Sequence, residues 1–112
     1  MYEVLVSNYF AKQLKRLAKK NQKLKERLRV ALFNFNKDLA VSIGQGVYKL
    51  RVACNDKGKS GGYRVYVYVI EIGKILMPIA IYSKSETENL TLDEMGKHLE
   101  NVKSELSYLL RP

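Results

Sequence analysis

Residues 49–84 read Lys49-Leu-Arg-Val-Ala-Cys-Asn-Asp-Lys-Gly-Lys-Ser-Gly-Gly62, then Tyr63-Arg-Val-Tyr-Val-Tyr-Val-Ile-Glu-Ile72, then Gly73-Lys-Ile-Leu-Met-Pro-Ile-Ala-Ile-Tyr-Ser-Lys84. In the middle block a valine stands at every second place, and a period of two belongs to a strand. That block predicts a strand over Tyr63–Ile72. Gly73-Lys74 turns the chain, and a further strand follows over Lys74–Tyr82. Pro78 inside it has no amide to donate, which places the strand at a sheet edge or puts a bulge at that point. Another strand, Val47–Ala53, precedes the Lys/Gly loop. Alternation sends Leu50 and Val52 to one face and Lys49 and Arg51 to the other. Val65, Val67 and Val69 should face helices, leaving Arg64, Tyr66 and Tyr68 on the opposite face. Tyr82 and Lys84 also share a face. Paired antiparallel and in register, these strands gather cations and tyrosines on one surface beside the loop. Such a surface suits a single strand of RNA, because cations meet phosphates and rings meet bases.

Working outward, Tyr2–Val6 alternates weakly and reads as a short strand. Ser7 or Asn8 can cap the helix that follows. Phe10, Leu14, Leu17 and Ala18 recur at three-to-four spacing and form one apolar stripe with lysines opposite. Asn21 breaks this pattern. Leu24, Leu28, Ala31, Leu32 and Phe35 then mark a second helix ending near Asp38. The pair reads as a helical hairpin, with one long helix as the alternative. Residues 39–46 read as a connector. Near the other terminus, Thr91 and Glu94 have capping-box spacing. Met95, Leu99, Val102, Leu106 and Leu109 make the stripe of a last helix. The order is β-α-α-β-β-β-α, an α+β fold with the hairpin and the C-terminal helix packed on a small, largely antiparallel sheet. With 112 residues and no linker or repeat, the chain reads as one domain over 1–112.

Charge narrows the function. The net charge is +9. Residues 12–29 hold nine Lys/Arg against Glu26, and residues 44–84 hold seven against Asp56 and Glu71. Residues 85–112 reverse the sign, with six acids against three bases. Two separate basic blocks point to a polyanion. Lys15, Lys19 and Lys23 on the first block are candidates for sequence-independent phosphate contacts; the competing reading is a solvated helix face. No run reaches the length of a membrane span, and the first residues lack a signal peptide's apolar core. One cysteine, Cys54, allows no internal disulfide, so the expected compartment is the cytoplasm. The single histidine, His98, lies on the last helix, too far along the chain to suggest a Cys/His nucleophile pair. No His/Cys cluster or close carboxylates suggest a metal, and no cofactor is expected. Gly58-Lys59-Ser60 copies the tail of a P-loop, but residue 53 is Ala and no helix pattern follows. Asp56, Glu71 and Glu86 are scattered and read as solvated.

Three separated pieces carry a resemblance: Lys49-Leu-Arg51, Gly58-Lys-Ser-Gly-Gly-Tyr-Arg-Val65, and Ile81-Tyr-Ser-Lys-Ser-Glu86 with Asn89-Leu-Thr91 after it. Together and in this order they resemble the RelE/HigB toxins of the RelE/ParE superfamily. The likeness is closest to the HigB-like branch with its Gly-Lys-x-Gly-Gly loop, and it is strongest over residues 46–99. It implies a ribosome-dependent endoribonuclease that cuts messenger RNA in the decoding site. It also implies a cognate antitoxin, acidic or carrying a DNA-binding helix-turn-helix domain. The family's basic active-site positions fall on Arg51, Lys57, Lys59, Arg64 and Lys84, with Tyr82 beside them. Ser85 departs from the asparagine that often follows that lysine, which bears on the local loop geometry.

The residues support this chemistry on their own. Attack by a 2′-hydroxyl needs proton removal, charge stabilisation on the phosphate and a proton for the leaving oxygen. Crowding among cations favours a neutral lysine, so one of Lys57, Lys59 or Lys84 can act as base. Arg51 and Arg64 stay charged and can clamp a phosphate in a fork. Tyr82 can stack on a base or donate a proton. Lys49 and Tyr66 join as RNA contacts, while Tyr68 reads as core. A second class shares the fold: a ParE-like toxin that binds and poisons DNA gyrase and cleaves nothing. A third is an RNA-binding accessory protein.

Overall fold

The strand Gly62–Ile70 runs through the middle of a five-stranded sheet. The computed structural model describes residues 1–53, 62–87 and 89–109. In chain order the elements are β1 (Glu3–Val4), α1 (Asn8–Ala18), α2 (Leu24–Phe33), β2 (Val41–Gly44), β3 (Val47–Ala53), β4 (Gly62–Ile70), β5 (Ile75–Ser83) and α3 (Leu92–Leu109). Across the sheet the strands lie β1-β5-β4-β3-β2. β1 runs parallel to β5 and the other pairs are antiparallel. The fold is α+β, with three helices on a sheet that is mixed rather than wholly antiparallel.

The helices start where the sequence has its caps. Ser7 is the cap of α1: its hydroxyl accepts the Phe10 amide at 3.0 Å. Thr91 and Glu94 form the full capping box, at 3.1 Å and 3.0 Å. The hairpin wins over the single long helix. Lys20 and Asn21 close the last turn of α1 by short-range bonds to Leu17 and Ala18, and the Asn21 side chain accepts the Lys23 amide at 3.0 Å. That local bond competes with helix continuation. α2 also ends sooner than its stripe suggests: helix stops at Phe33 with Asn34 as its C-cap, and beyond it Asn36 accepts the Asp38 amide in a local turn.

Residues 39–46 are not a bare connector. They contain β2, which pairs Val41 with Lys49 and Ser42 with Tyr48. Four residues are too few to show a period, so the strand is silent in sequence. The chain turns back through Gly44, Gln45 and Gly46 at φ of 94°, 58° and 78°. Glycine enters that region without penalty. A Cβ on Gly46 would also lie 3.3 Å from the Tyr68 ring.

The sheet is buried on both faces. Val52, Val65, Val67, Val69, Leu76 and Ile81 pack with Phe10, Leu17, Leu24, Leu28 and Leu32 of the hairpin. On the other side Val47, Tyr66, Met77, Ile79 and Ala80 pack under Met95, Leu99, Val102 and Leu106 of α3. Pro78 does carry the expected bulge: the β4–β5 register shifts between Tyr66 and Val67, paired with Ala80 and Pro78.

Beyond Leu76, the edge of β5 away from β4 has no strand beside it, because β1 pairs only Glu3 and Val4. Gln13 of α1 stands in for one. Its amide nitrogen donates to the Ile79 carbonyl at 3.1 Å, and its oxygen accepts the Ile81 amide at 3.2 Å. Both groups would otherwise be orphans at a covered sheet edge. Gln13→Ala should therefore lower unfolding stability by about 1–2 kcal/mol, from two bonds of ordinary net worth. Urea denaturation checks this, and an unchanged midpoint would mean that water serves the edge equally well.

Candidate active site

Strand register builds the site. Arg51 on β3 stands opposite Arg64 on β4, and Arg64 stands opposite Tyr82 on β5. The three form one row across the sheet, on the face that α3 shares. The next row is Lys49, Tyr66 and Ala80. Ala53 and Gly62 are the last pair of β3 and β4, so the Arg51–Arg64–Tyr82 row lies near the loop end of these strands.

Within the row, Arg51 is exposed, Tyr82 is half-buried, and Arg64 is only 7% exposed. Arg64 forms no ion pair with any described residue. None of its nitrogens is both sealed from solvent and without a partner, so the stem is packed while the charged head keeps an opening through which an anion can reach it.

Lys84 follows β5 in a tight turn. Its amide donates to the Gly62 carbonyl at 2.9 Å, which anchors it beside the start of β4. Glu86 holds the turn. Its carboxylate accepts the Ser83 amide at 3.1 Å and the Arg16 guanidinium at 3.0 Å. The Arg16 bond, with the Ser83 amide second, keeps the Glu86 carboxyl below its usual range. The Glu86 side chain is thus a tie between α1 and the β5 turn, not a scattered solvated acid. Its signal was the Ser-x-x-Glu spacing from Ser83. Glu71 is likewise tied, accepting from the Tyr2 hydroxyl and the Lys37 amine.

Behind Tyr82 stands a side chain that no local spacing places there. His98 of α3 shares a hydrogen bond with the Tyr82 hydroxyl through Nε2 at 2.7 Å, and with the Tyr9 hydroxyl through Nδ1 at 2.5 Å. Burial pushes the His98 pKa down, against the pull of Glu94 one turn earlier. Burial also raises both tyrosine hydroxyls, which keeps them protonated at neutral pH. Tyr9 and His98 lie 89 residues apart in the chain, so no local spacing could reveal the contact.

A family model described as the RelE toxin of the RelE/RelB toxin-antitoxin system matches residues 7–109. The chain belongs to the RelE toxin family. The fold agrees with two solved structures. The first is a free-state E. coli toxin RelE with two arginines changed to alanine, at 18% identity and TM-score 0.53, covering 98% of each chain. The second is the intact E. coli RelBE toxin-antitoxin complex, at 20% identity and TM-score 0.52, covering 72% of this chain and 94% of that one. No curated protein matches by sequence. The finer assignment, to the HigB-like branch, rests on the Gly-Lys-Ser-Gly-Gly loop alone.

The toxin brings together some of the expected site residues and separates others. Arg51, Arg64, Tyr82 and Lys84 gather as described. Lys57 and Lys59 lie outside the described residues, as do Cys54 and Asp56. Tyr66 cannot stack on a base: it is 2% exposed under α3, and its hydroxyl accepts the Leu90 amide at 3.2 Å. A ring on a strand covered on both faces goes to the core. Tyr68 is packed against the same cluster, with the Lys103 amine 5.1 Å from its ring centre. Lys49 is half-buried and donates to the Asn89 side chain at 3.1 Å, which anchors the segment leading into α3. Lys15, Lys19 and Lys23 are exposed on the hairpin and its joint. Lys15 also sits in the last turn of α1, where a cation suits the helix dipole. Among the described residues, no three His, Cys, Asp or Glu side chains gather as metal ligands would.

The lowered His98 pKa has a consequence for stability. As pH falls through the ordinary histidine value of 6.5, the unfolded chain takes up a proton that the folded chain refuses. Stability should therefore decline from about neutral pH down to the depressed folded value, and level off below it. His98→Gln, which cannot titrate, should flatten that part of the curve. Denaturant midpoints at stepped pH values would show it, and identical slopes in both proteins would contradict it.

Proposed function

We propose that this toxin cuts messenger RNA on the ribosome, with Arg64 gripping the phosphate that is attacked. Family membership supplies the coarser statement: a type II toxin with endoribonuclease activity. The observation that carries the finer one is Arg64 itself. As a residue it is 7% exposed, in a cross-strand row with Arg51 and Tyr82; no described carboxylate pairs with it, and none of its nitrogens is sealed from solvent without a partner. A phosphate answers that charge in a two-pronged geometry that a lysine would not offer.

In this reading a ribose 2′-hydroxyl attacks the neighbouring phosphorus and displaces the 5′-oxygen. Arg64 and the exposed Arg51 hold the phosphate oxygens as negative charge builds. Lys84, on the turn that Glu86 holds, stands beside them. Tyr82 keeps its proton at neutral pH and supplies it to the departing oxygen. One of Lys57, Lys59 or Lys84 takes the proton from the attacking hydroxyl. The hairpin lysines, including Lys15, Lys19 and Lys23, grip ribosomal RNA phosphates, with no part in the cut. The toxin acts in the cytoplasm, and a cognate antitoxin restrains it. A chain of net charge +9 draws an acidic partner segment.

Arg64→Ala tests the core of this reading. Removing one electrostatic donor of this kind costs about 100- to 1000-fold in rate. Growth arrest should vanish, and mapped messenger ends from translating extracts should lose the toxin-dependent cuts. A folded variant that still arrests growth at full strength would sink the assignment. Arrest with intact transcripts and gyrase-dependent DNA breaks would instead favour a ParE-like poison.

The docking role needs a different variant. Lys15→Glu, Lys19→Glu and Lys23→Glu together should weaken co-sedimentation with ribosomes and flatten its salt dependence. The pattern of cut sites should not change. Equal ribosome binding across a salt series would leave those lysines as a solvated face only.

A further inference from the structure

We infer that His98 is a positioning residue for Tyr82, and that it sets which way the Tyr82 hydroxyl points its proton. The inference rests on the nuclease reading above and adds a residue to it.

The geometry is a three-member chain. Tyr9 on α1, His98 on α3 and Tyr82 on β5 meet through one imidazole, at 2.5 Å and 2.7 Å. The Tyr82 and His98 rings stand nearly edge to face, at 76° with centres 5.9 Å apart. Tyr9 approaches the same ring at 57° and 5.6 Å. Neither tyrosine hydroxyl has another hydrogen-bond partner among the described residues. His98 is half-buried, and α1, α3 and β5 all converge on it.

A neutral imidazole has one N–H and one bare nitrogen. With a hydroxyl at each nitrogen, only two arrangements satisfy both bonds. In one, Tyr82 donates to Nε2 and Nδ1–H donates to Tyr9. The Tyr82 proton is then held inward and cannot reach RNA. In the other, Tyr9 donates to Nδ1 and Nε2–H donates to the Tyr82 oxygen. The Tyr82 proton is then free to turn toward the Arg51–Arg64 row. The second arrangement makes Tyr82 a donor at the site, and it is the one we assign. Burial raises the Tyr82 pKa, so the hydroxyl keeps its proton at neutral pH in either arrangement. Glu94 on α3 and Glu86 beyond β5 are the acids that act on Tyr82, and Glu94 alone acts on His98.

His98 thus does two things through Tyr82. It fixes the ring against α3, and it occupies the oxygen's acceptor side so that the O–H points outward. Tyr9 selects the tautomer from the far end. Tyr9 and His98 act without touching RNA, and only Tyr82 touches it.

The test is a double-mutant cycle read on programmed ribosomes under single-turnover conditions. Tyr82→Phe should slow cutting by about 100-fold or more, as loss of a general acid does. His98→Leu should slow it by about tenfold at saturating ribosome, with the half-saturating concentration unchanged. The double variant should be no slower than Tyr82→Phe alone. Nitrogen-detected NMR of the imidazole in the intact toxin should show the Nε2–H tautomer, and Tyr9→Phe should shift it toward Nδ1–H. Additive losses, or a His98→Leu defect that lies in half-saturation rather than rate, would reduce His98 to a packing residue and overturn the inference. An Nδ1–H tautomer in the unmodified toxin would overturn the assigned direction. If Arg64→Ala abolishes cutting while Tyr82→Phe cuts normally, the nuclease reading stands and this inference falls. If the unmodified toxin cuts nothing on ribosomes, the nuclease reading falls and takes the inference with it.

Discussion

Strand β4 is covered on both faces, and that constraint shapes the rest of the molecule. Its valines lie against the α1–α2 hairpin and Tyr66 lies under α3. A strand in that position should be apolar throughout, as buried strands are. Arg64 breaks the rule. It shares the α3 face of β4 with Tyr66, is 7% exposed as a residue, and has no described carboxylate partner. Local violations of an otherwise consistent pattern concentrate at functional sites. Here the violation coincides with the only row of the sheet that carries two arginines and a tyrosine together among the described residues.

Once β4 is fixed, the other elements follow as supports for that row. β3 supplies Arg51 by register alone. β5 supplies Tyr82, and the bulge at Pro78 changes the register before Tyr82 is reached. Gln13 closes the open edge of β5, and Glu86 ties the turn after it to Arg16 of the same helix. Helix α1 therefore touches the site from behind at three places: through Gln13, through Arg16 and through Tyr9. The hairpin is more than a cover for the valine face.

Much of this was legible in the chain. The period of two around Val65 and Val67 gave β4 and its faces, and the helix stripes and caps gave three helices with their starts. The two-residue period, with the strands taken as paired in register, puts Arg51, Arg64 and Tyr82 on one surface. Two features were not legible. β2 is four residues long and turns on three positive-φ residues, so it leaves no periodic trace. Tyr66 looked like Tyr82 by period, yet one is under α3 and the other at its margin. Period assigns a face, and only the packed helix decides how far along that face the cover extends. His98 was passed over because it had no chain neighbour to make it interesting; its partners come from α1 and β5. Glu86 shows the same limit in milder form.

The account turns on whether a phosphate of messenger RNA reaches Arg64. The direct measurement is a structure of the toxin on a ribosome carrying a messenger whose attacking 2′-hydroxyl is methylated, so that the strand stays whole. The account predicts one messenger phosphate within hydrogen-bond distance of the Arg64 guanidinium, Tyr82 beside its 5′-oxygen, and the hairpin lysines on ribosomal RNA. A messenger that runs past the toxin with Arg64 still covered would contradict it.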